Sequence, residues 1–148
     1  MPDKTTGLYF ELFNEIGIIG QLSRAMFEAR LPEGLVLPHF SVLNHLVRVS
    51  DGRTPLELAT AFQQPKTSMT HTLAGLERHG FVRMVPNPKD KRSKLVFITD
   101  AGCQFREEAI AALAPDVAKL ADLVPSEHVA GLLPGLRELR EELDRMRD

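Results

Sequence analysis

Apolar positions recur every three to four residues through most of this chain, the spacing of one helix face. From Leu8 to about Arg30, Leu12, Ile16, Ile19, Leu22 or Ser23, and Met26 form such a stripe, and Phe10, Phe13 and Ile18 widen it. A helix apolar over most of its girth must be covered on several sides. Near one end of a small chain, a partner subunit would supply that cover; a central core helix of a monomer is the plainer alternative. Met1 to Gly7 reads as polar and loose. Leu31-Pro32-Glu33-Gly34 reads as a turn, and Pro38 opens a helix to about Ser50 with Phe40, Leu43, Leu46 and Val47 inward. Asp51-Gly52 ends it.

The pattern then shortens. Thr54-Pro55-Leu56-Glu57 carries the marks of a helix start: a hydroxyl to cap, proline at the first helical position and a glutamate to reach back. Leu58 and Phe62 share its inner face. Gln63-Gln64-Pro65 breaks the run, because proline disfavours helix in the residue before it. A second helix is expected from Pro65 to about His79, with Met69, Leu73 and Leu76 inward and Gly80 ending it in a left-handed conformation. Two short helices at this spacing form a helix-turn-helix. Phe81–Val85 and Leu95–Ile98 then read as two strands, joined by the basic loop Pro86–Lys94. A helix-turn-helix followed by such a hairpin is a winged helix.

Helical spacing resumes after Thr99-Asp100, a capping pair. Phe105, Ala109, Ala112, Leu113, Val117, Leu120 and Val124 supply the face, and Pro115 predicts a kink or break near Ala111–Pro115. Ser126 is expected to cap a last helix lined by Val129, Leu132, Leu133, Leu136, Leu139, Leu143 and Met146, with a bend at Pro134-Gly135. The spacing of Leu136, Leu139, Leu143 and Met146 is that of an intertwined helical seam. The fold class expected is mainly α with a small β-hairpin wing (α+β): a winged helix-turn-helix with N- and C-terminal dimerisation helices. The whole chain reads as one domain, 1–148, with dimerisation helices at 8–30 and 101–148 and the DNA-binding lobe at 38–100.

Composition changes this picture in one respect. The net charge of −2 is unusual for a nucleic-acid binder, but between Phe62 and Ile98 seven cations face two anions. A basic patch on an acidic body is what a phosphate-facing surface requires. A solvated loop of no consequence is the bland reading, and the adjoining helix-turn-helix argues against it. A length of 148 residues suits a single core. No run approaches the ~18 apolar residues of a membrane span, no signal peptide is evident, and the single cysteine, Cys103, cannot form an internal disulfide. A soluble, cytoplasmic protein is expected.

These residues resemble the multiple antibiotic resistance regulator (MarR) family over nearly the whole length. The resemblance is carried by Leu58-Ala59 through Leu73, Leu76-Glu77-Arg78-His79-Gly80-Phe81-Val82, Asp90-Lys91-Arg92 and Leu95-Val96-Phe97-Ile98-Thr99-Asp100-Ala101-Gly102. It implies a homodimeric regulator of transcription bound to a pseudo-palindromic operator on double-stranded DNA. It further implies repression relieved by a small effector, aromatic or phenolic, or by oxidation. Lys66, Thr67, Ser68, Thr70 and His71 then occupy the groove-facing positions of the recognition helix. Arg92 would enter the minor groove, held by Asp90, while Lys89, Lys91 and Lys94 meet phosphate and Thr54 borders the interface. Met26, His39 and Phe40 are the effector candidates, with core packing as their plainer role and turn capping as His39's. The chain departs from the family in carrying Ala74 and Gly75 where aspartate and arginine are frequent, and Gln63 where glycine is frequent. Gly75 costs its helix ~1 kcal/mol against alanine, which points to a close approach there.

Other chemistries find little footing. Cys103 lies in a first helical turn, where a thiol-based switch is conceivable, but an idle thiol is the simpler reading. The five histidines show no metal-ligand spacing, and no cofactor motif, phosphate loop or nucleophile setting is present. A helical interaction module that kept the winged shape without operator binding is the rival from another class.

Overall fold

The computed structural model describes residues 1–147 and divides into two compact units, one spanning Met1–Ala112 and the other beginning at Leu113. In the first unit, α1 (Lys4–Glu28) precedes α2 (Leu37–Arg48), α3 (Pro55–Ala61) and α4 (Lys66–Arg78). The antiparallel pair β1 (Val82–Asn87) and β2 (Asp90–Ile98) follows, and then α5 (Asp100–Ala111). The second unit holds α6 (Ala114–Leu123) and α7 (Ser126–Arg147).

The core of the first unit forms where the short helices converge. Leu43, Leu58, Met69, Leu73, Leu76, Val42 and Val96 are almost wholly excluded from solvent. Met69, Leu73 and Leu76 face inward as their spacing requires. In α2 the stripe is turned: Val42 is buried, whereas Val47, expected inside, is 45% exposed. Its neighbour α5 takes Asn44 instead, which accepts from Arg106 Nε at 3.1 Å.

The starts of the helices follow the expected chemistry, with two corrections. Thr54 Oγ1 accepts from Glu57 N–H at 3.1 Å, and Glu57 Oε1 accepts from Thr54 N–H at 3.0 Å. Thr99 caps α5 by accepting from Gly102 N–H at 3.0 Å, and its hydroxyl donates to Gly80 carbonyl at 2.6 Å. The first correction is at the N-terminus. The segment read as loose begins α1 at Lys4, because Asp3 caps it by accepting from Thr6 N–H at 2.7 Å. The second is at α7, where Ser126 is the first helical residue and Pro125 carbonyl accepts from His128 and Val129.

Proline at 115 does separate two helices, α5 ending at Ala111 and α6 starting at Ala114. Pro134 lies inside α7, which runs on through it as one helix.

The hairpin is longer than the apolar pattern indicates. Pairing runs from Val82↔Ile98 to Pro86↔Lys94, then shifts through a bulge to Asn87↔Asp90. The stretch expected as a loop is therefore mostly strand, with only Pro88 and Lys89 between the two. On its other edge β2 is bridged by Arg53: Gly52 N–H donates to Val96 carbonyl at 3.0 Å and Val96 N–H to Arg53 carbonyl at 2.7 Å. Gly52, at φ 70°, sits under the Phe97 ring, where a Cβ would lie 2.8 Å from a ring carbon.

Candidate nucleic-acid interface

Helix α4 divides sharply between two faces. Met69, Thr72, Leu73, Gly75 and Leu76 are buried, while Lys66, Thr67, Ser68, Thr70 and His71 are exposed. The turn leading into it places Gln63 at φ 52°, a left-handed conformation that costs a non-glycine side chain about 1 kcal/mol or more. Pro65, the residue before α4, gives it no side-chain cap. The first-turn N–H groups therefore present partial positive charge outward, a natural seat for an anion. Sequence reasoning missed these amides; a proline at the cap position, which has no side-chain acceptor, was the signal. Thr70 Oγ1 donates to Lys66 carbonyl at 2.9 Å, so outward it can only accept.

The wing stands beside this face. A cleft of about 580 Å³ is bounded by Pro55 and Leu56 of α3, Lys66 and Thr70 of α4, and Arg92 and Lys94 of β2, with Met84, Asp90 and Ser93 completing it. Three cations thus border one groove whose floor is apolar. Leu56 is 62% exposed there and was not foreseen, since a residue following proline in a helix start carries no functional mark. Thr67, Ser68 and His71 line a neighbouring groove of about 520 Å³ with Pro38 and Gln64. Lys89 and Lys91 are exposed at the tip of the hairpin. Asn87 shapes that tip, with Oδ1 accepting from Lys89 N–H at 3.0 Å and Nδ2 donating to Ser93 Oγ at 3.0 Å.

The remaining candidates lie elsewhere in the first unit. Thr54 spends its hydroxyl on the α3 cap. Phe40 packs on Phe27 with ring centroids 4.5 Å apart, and Met26 is 39% exposed. His39 Nδ1 accepts from Val36 N–H at 3.0 Å and so closes the start of α2. None of these three lines the cavity of about 150 Å³ nearest the α1–α2 junction, which Arg24, Leu37, Ser41 and Phe62 help enclose. Burial, with the charges of His79, His71 and Arg78 adding to it, lowers the His39 pKa below 6.5. Cys103 is exposed. Among the described residues no cluster of three or more His, Cys, Asp or Glu could hold a metal, and no helix is long and apolar enough to cross a membrane.

An exposed polar helix face flanked by a cationic hairpin defines a winged helix-turn-helix DNA-binding protein. The MarR family model matches residues 33–93. The multiple antibiotic resistance protein MarR of Escherichia coli is 32% identical over 106 residues, which cover 66% of this chain and 73% of that protein. The transcriptional activatory protein BadR of Rhodopseudomonas palustris is 31% identical over 97 residues, 64% of this chain, and the match spans only 54% of BadR's length. In three dimensions the chain is similar to a cysteine-to-serine mutant of MarR from E. coli complexed with operator DNA. The TM-score is 0.69 at 26% identity, covering 93% of this chain and 99% of the other. The chain belongs to the MarR family of DNA-binding transcriptional regulators.

Proposed function

We propose that this chain is a homodimeric repressor that sits on a pseudo-palindromic operator and is released by a small ligand. The observation that carries the reading is the cleft in which Lys66 and Thr70 of α4 face Arg92 and Lys94 of β2. A duplex backbone seated there would bring α4 into the major groove and the wing tip to the adjacent minor groove. Lys66, Thr67, Ser68, Thr70 and His71 would then meet base edges and phosphate. Arg92 would enter the minor groove with Asp90 holding it, and Lys89, Lys91 and Lys94 would neutralise phosphate. Thr54 would act through the helix it caps. Such a regulator would work in the cytoplasm.

Exposed apolar surface supports the dimer. On α1, Leu8, Phe10, Ile19 and Leu22 are 59% to 66% exposed. On α7, Leu132, Leu136 and Leu143 are 41% to 51% exposed. Apolar surface in such amount marks an interface, and a two-fold pairing of identical chains is the commonest way to cover it. Two α4 helices would then stand about one DNA turn apart, ~34–36 Å. An aromatic or phenolic effector near Met26, His39 and Phe40 would release the operator by binding one spacing of the lobes better than the other.

Selection of bound fragments from random duplex DNA tests the reading. An inverted repeat is expected, bound by a dimer, with affinity falling steeply as salt rises. Little duplex binding at any salt would instead indicate an interaction module. A lone monomer in solution would overturn the dimer. BadR's name describes an activator, so transcription from a promoter carrying the selected repeat decides the sign of regulation.

A further inference from the structure

Gly75 lies on the buried face of α4, and a Cβ built there would come 2.9 Å from His39 Nε2. The ring therefore lies against bare helix backbone, at a place where every other residue type would push it away. Its other nitrogen is fixed as well, because Nδ1 accepts from Val36 N–H at 3.0 Å. With Nδ1 accepting, the neutral ring carries its proton on Nε2, the atom turned towards α4. One imidazole thus closes the first turn of α2 and bears on the DNA-reading helix from behind.

We propose that His39 is a positioning residue for operator recognition, setting the stance of α4 through its contact at Gly75. The inference rests on the DNA-reading role of α4. Its chemistry makes the contact sensitive to protonation. A doubly protonated ring can no longer accept from Val36 N–H, so the cap is lost. On the α4 side its electrostatic neighbours are the Arg78 guanidinium and the imidazoles of His71 and His79, the last bonded through Nδ1 to Gly75 carbonyl at 2.9 Å. On the α1 side Glu28 meets the start of α2, engaged with Leu37 N–H at 2.6 Å and Arg24 Nε at 3.0 Å. Protonation of His39 therefore meets repulsion from the Arg78 guanidinium on α4.

A double-substitution cycle with a pH profile tests this. Gly75→Ala should displace the ring, return the His39 titration seen by NMR towards an ordinary histidine value, and weaken binding to the selected duplex about tenfold, the scale of one lost base contact. His39→Ala opens space for the methyl group, so H39A/G75A should bind more tightly than G75A alone. His39→Gln preserves the reach-back to Val36 N–H but cannot take up a proton. The ratio of unaltered to H39Q affinity should then fall several-fold from pH 7.5 to 5.5. Additive effects of G75A and H39A, or a ratio independent of pH, would overturn the inference while leaving duplex binding intact. Failure of the unaltered chain to bind any duplex would overturn the proposed function and this inference with it.

Discussion

Asp90 grips Arg92 through a single oxygen: Oδ1 accepts from Arg92 N–H at 3.0 Å and lies 3.4 Å from its Nε, while the Arg92 side chain stays 92% exposed. So exposed a pair contributes little to stability. Its effect is to fix the guanidinium beside Asp90 at the wing tip. Arg92→Ala is expected to weaken duplex binding across all sequences and to reduce the salt slope by about one. Asp90→Ala should weaken binding less and leave the slope nearly unchanged, because the charge remains while its orientation is lost. Filter binding over a salt series reads both.

His71 stands in the groove beside Thr67 and Ser68 with its ring exposed. His71→Ala is expected to change which bases are preferred at one position in each half-site, with a smaller effect on overall affinity. A base-by-base binding profile identical to that of the unaltered chain would refute this assignment.

A methyl group at Gly102 would fall 2.2 Å from Phe81 carbonyl oxygen and 2.8 Å from Ile98 Cγ1. The first of these is backbone and cannot swing aside. Gly102→Ala should therefore pry α5 from the base of the hairpin and destabilise the fold by about 1–3 kcal/mol or more. The urea midpoint measures it.

Gln63 offers the opposite case. Its left-handed backbone at φ 52° is glycine's territory. Gln63→Gly is expected to stabilise by about half to one kcal/mol, the left-handed penalty less glycine's greater loss of chain entropy. A thermal scan would show a small rise in midpoint, and a fall would contradict the strain.

Stability should decline with acid in two stages. His39 and His45 both titrate below 6.5 in the fold, chiefly because burial disfavours the cation. Their contribution is complete above that value and erodes as pH falls below it, since the unfolded chain takes up protons first. Glu28 and Glu57 are lowered from 4.5, mainly by the N–H groups of Leu37 and Thr54. Their stabilisation is present above 4.5 and is lost as pH falls through the depressed values. Thermal midpoints measured from pH 7.5 to 3 should show both steps. His39→Gln with His45→Gln should flatten the first, and Glu57→Gln should shrink the second.

How much of this was legible depended on where information is local. The cap at Thr54, the turn at Gly80 and the break before Pro115 are written in adjacent residues, and each appears where expected. The inward stripe of α4 was equally plain, because one face of that helix is buried and the other wet. The wing was misjudged in length because Asp90–Lys94 is polar on both faces, so no alternation betrays a strand. Val47 was placed inside by helical spacing alone, which cannot tell which side of α2 meets its neighbours. The start of α1 was missed because a polar first turn hides a cap as ordinary as Asp3. Of the candidate site, the cations and hydroxyls of α4 and the hairpin could be named from sequence. The apolar floor from Leu56 and Met84 could not, since it exists only when three elements meet. Gly75 signalled a close approach, but only the fold identifies His39 as what approaches.

Beyond Pro86↔Lys94 the hairpin is a bare two-stranded ribbon, whereas at Val96 the isolated Arg53 bridge ties its outer edge to a third backbone segment. Bending stiffness must therefore step down from root to tip. The root carries the orientation of the lobe faithfully, while the tip can flex to follow a groove whose width varies from one sequence to the next. A duplex with a pinched minor groove and one with a broad groove could be met by the same lobe, the difference absorbed in a few residues around Asn87.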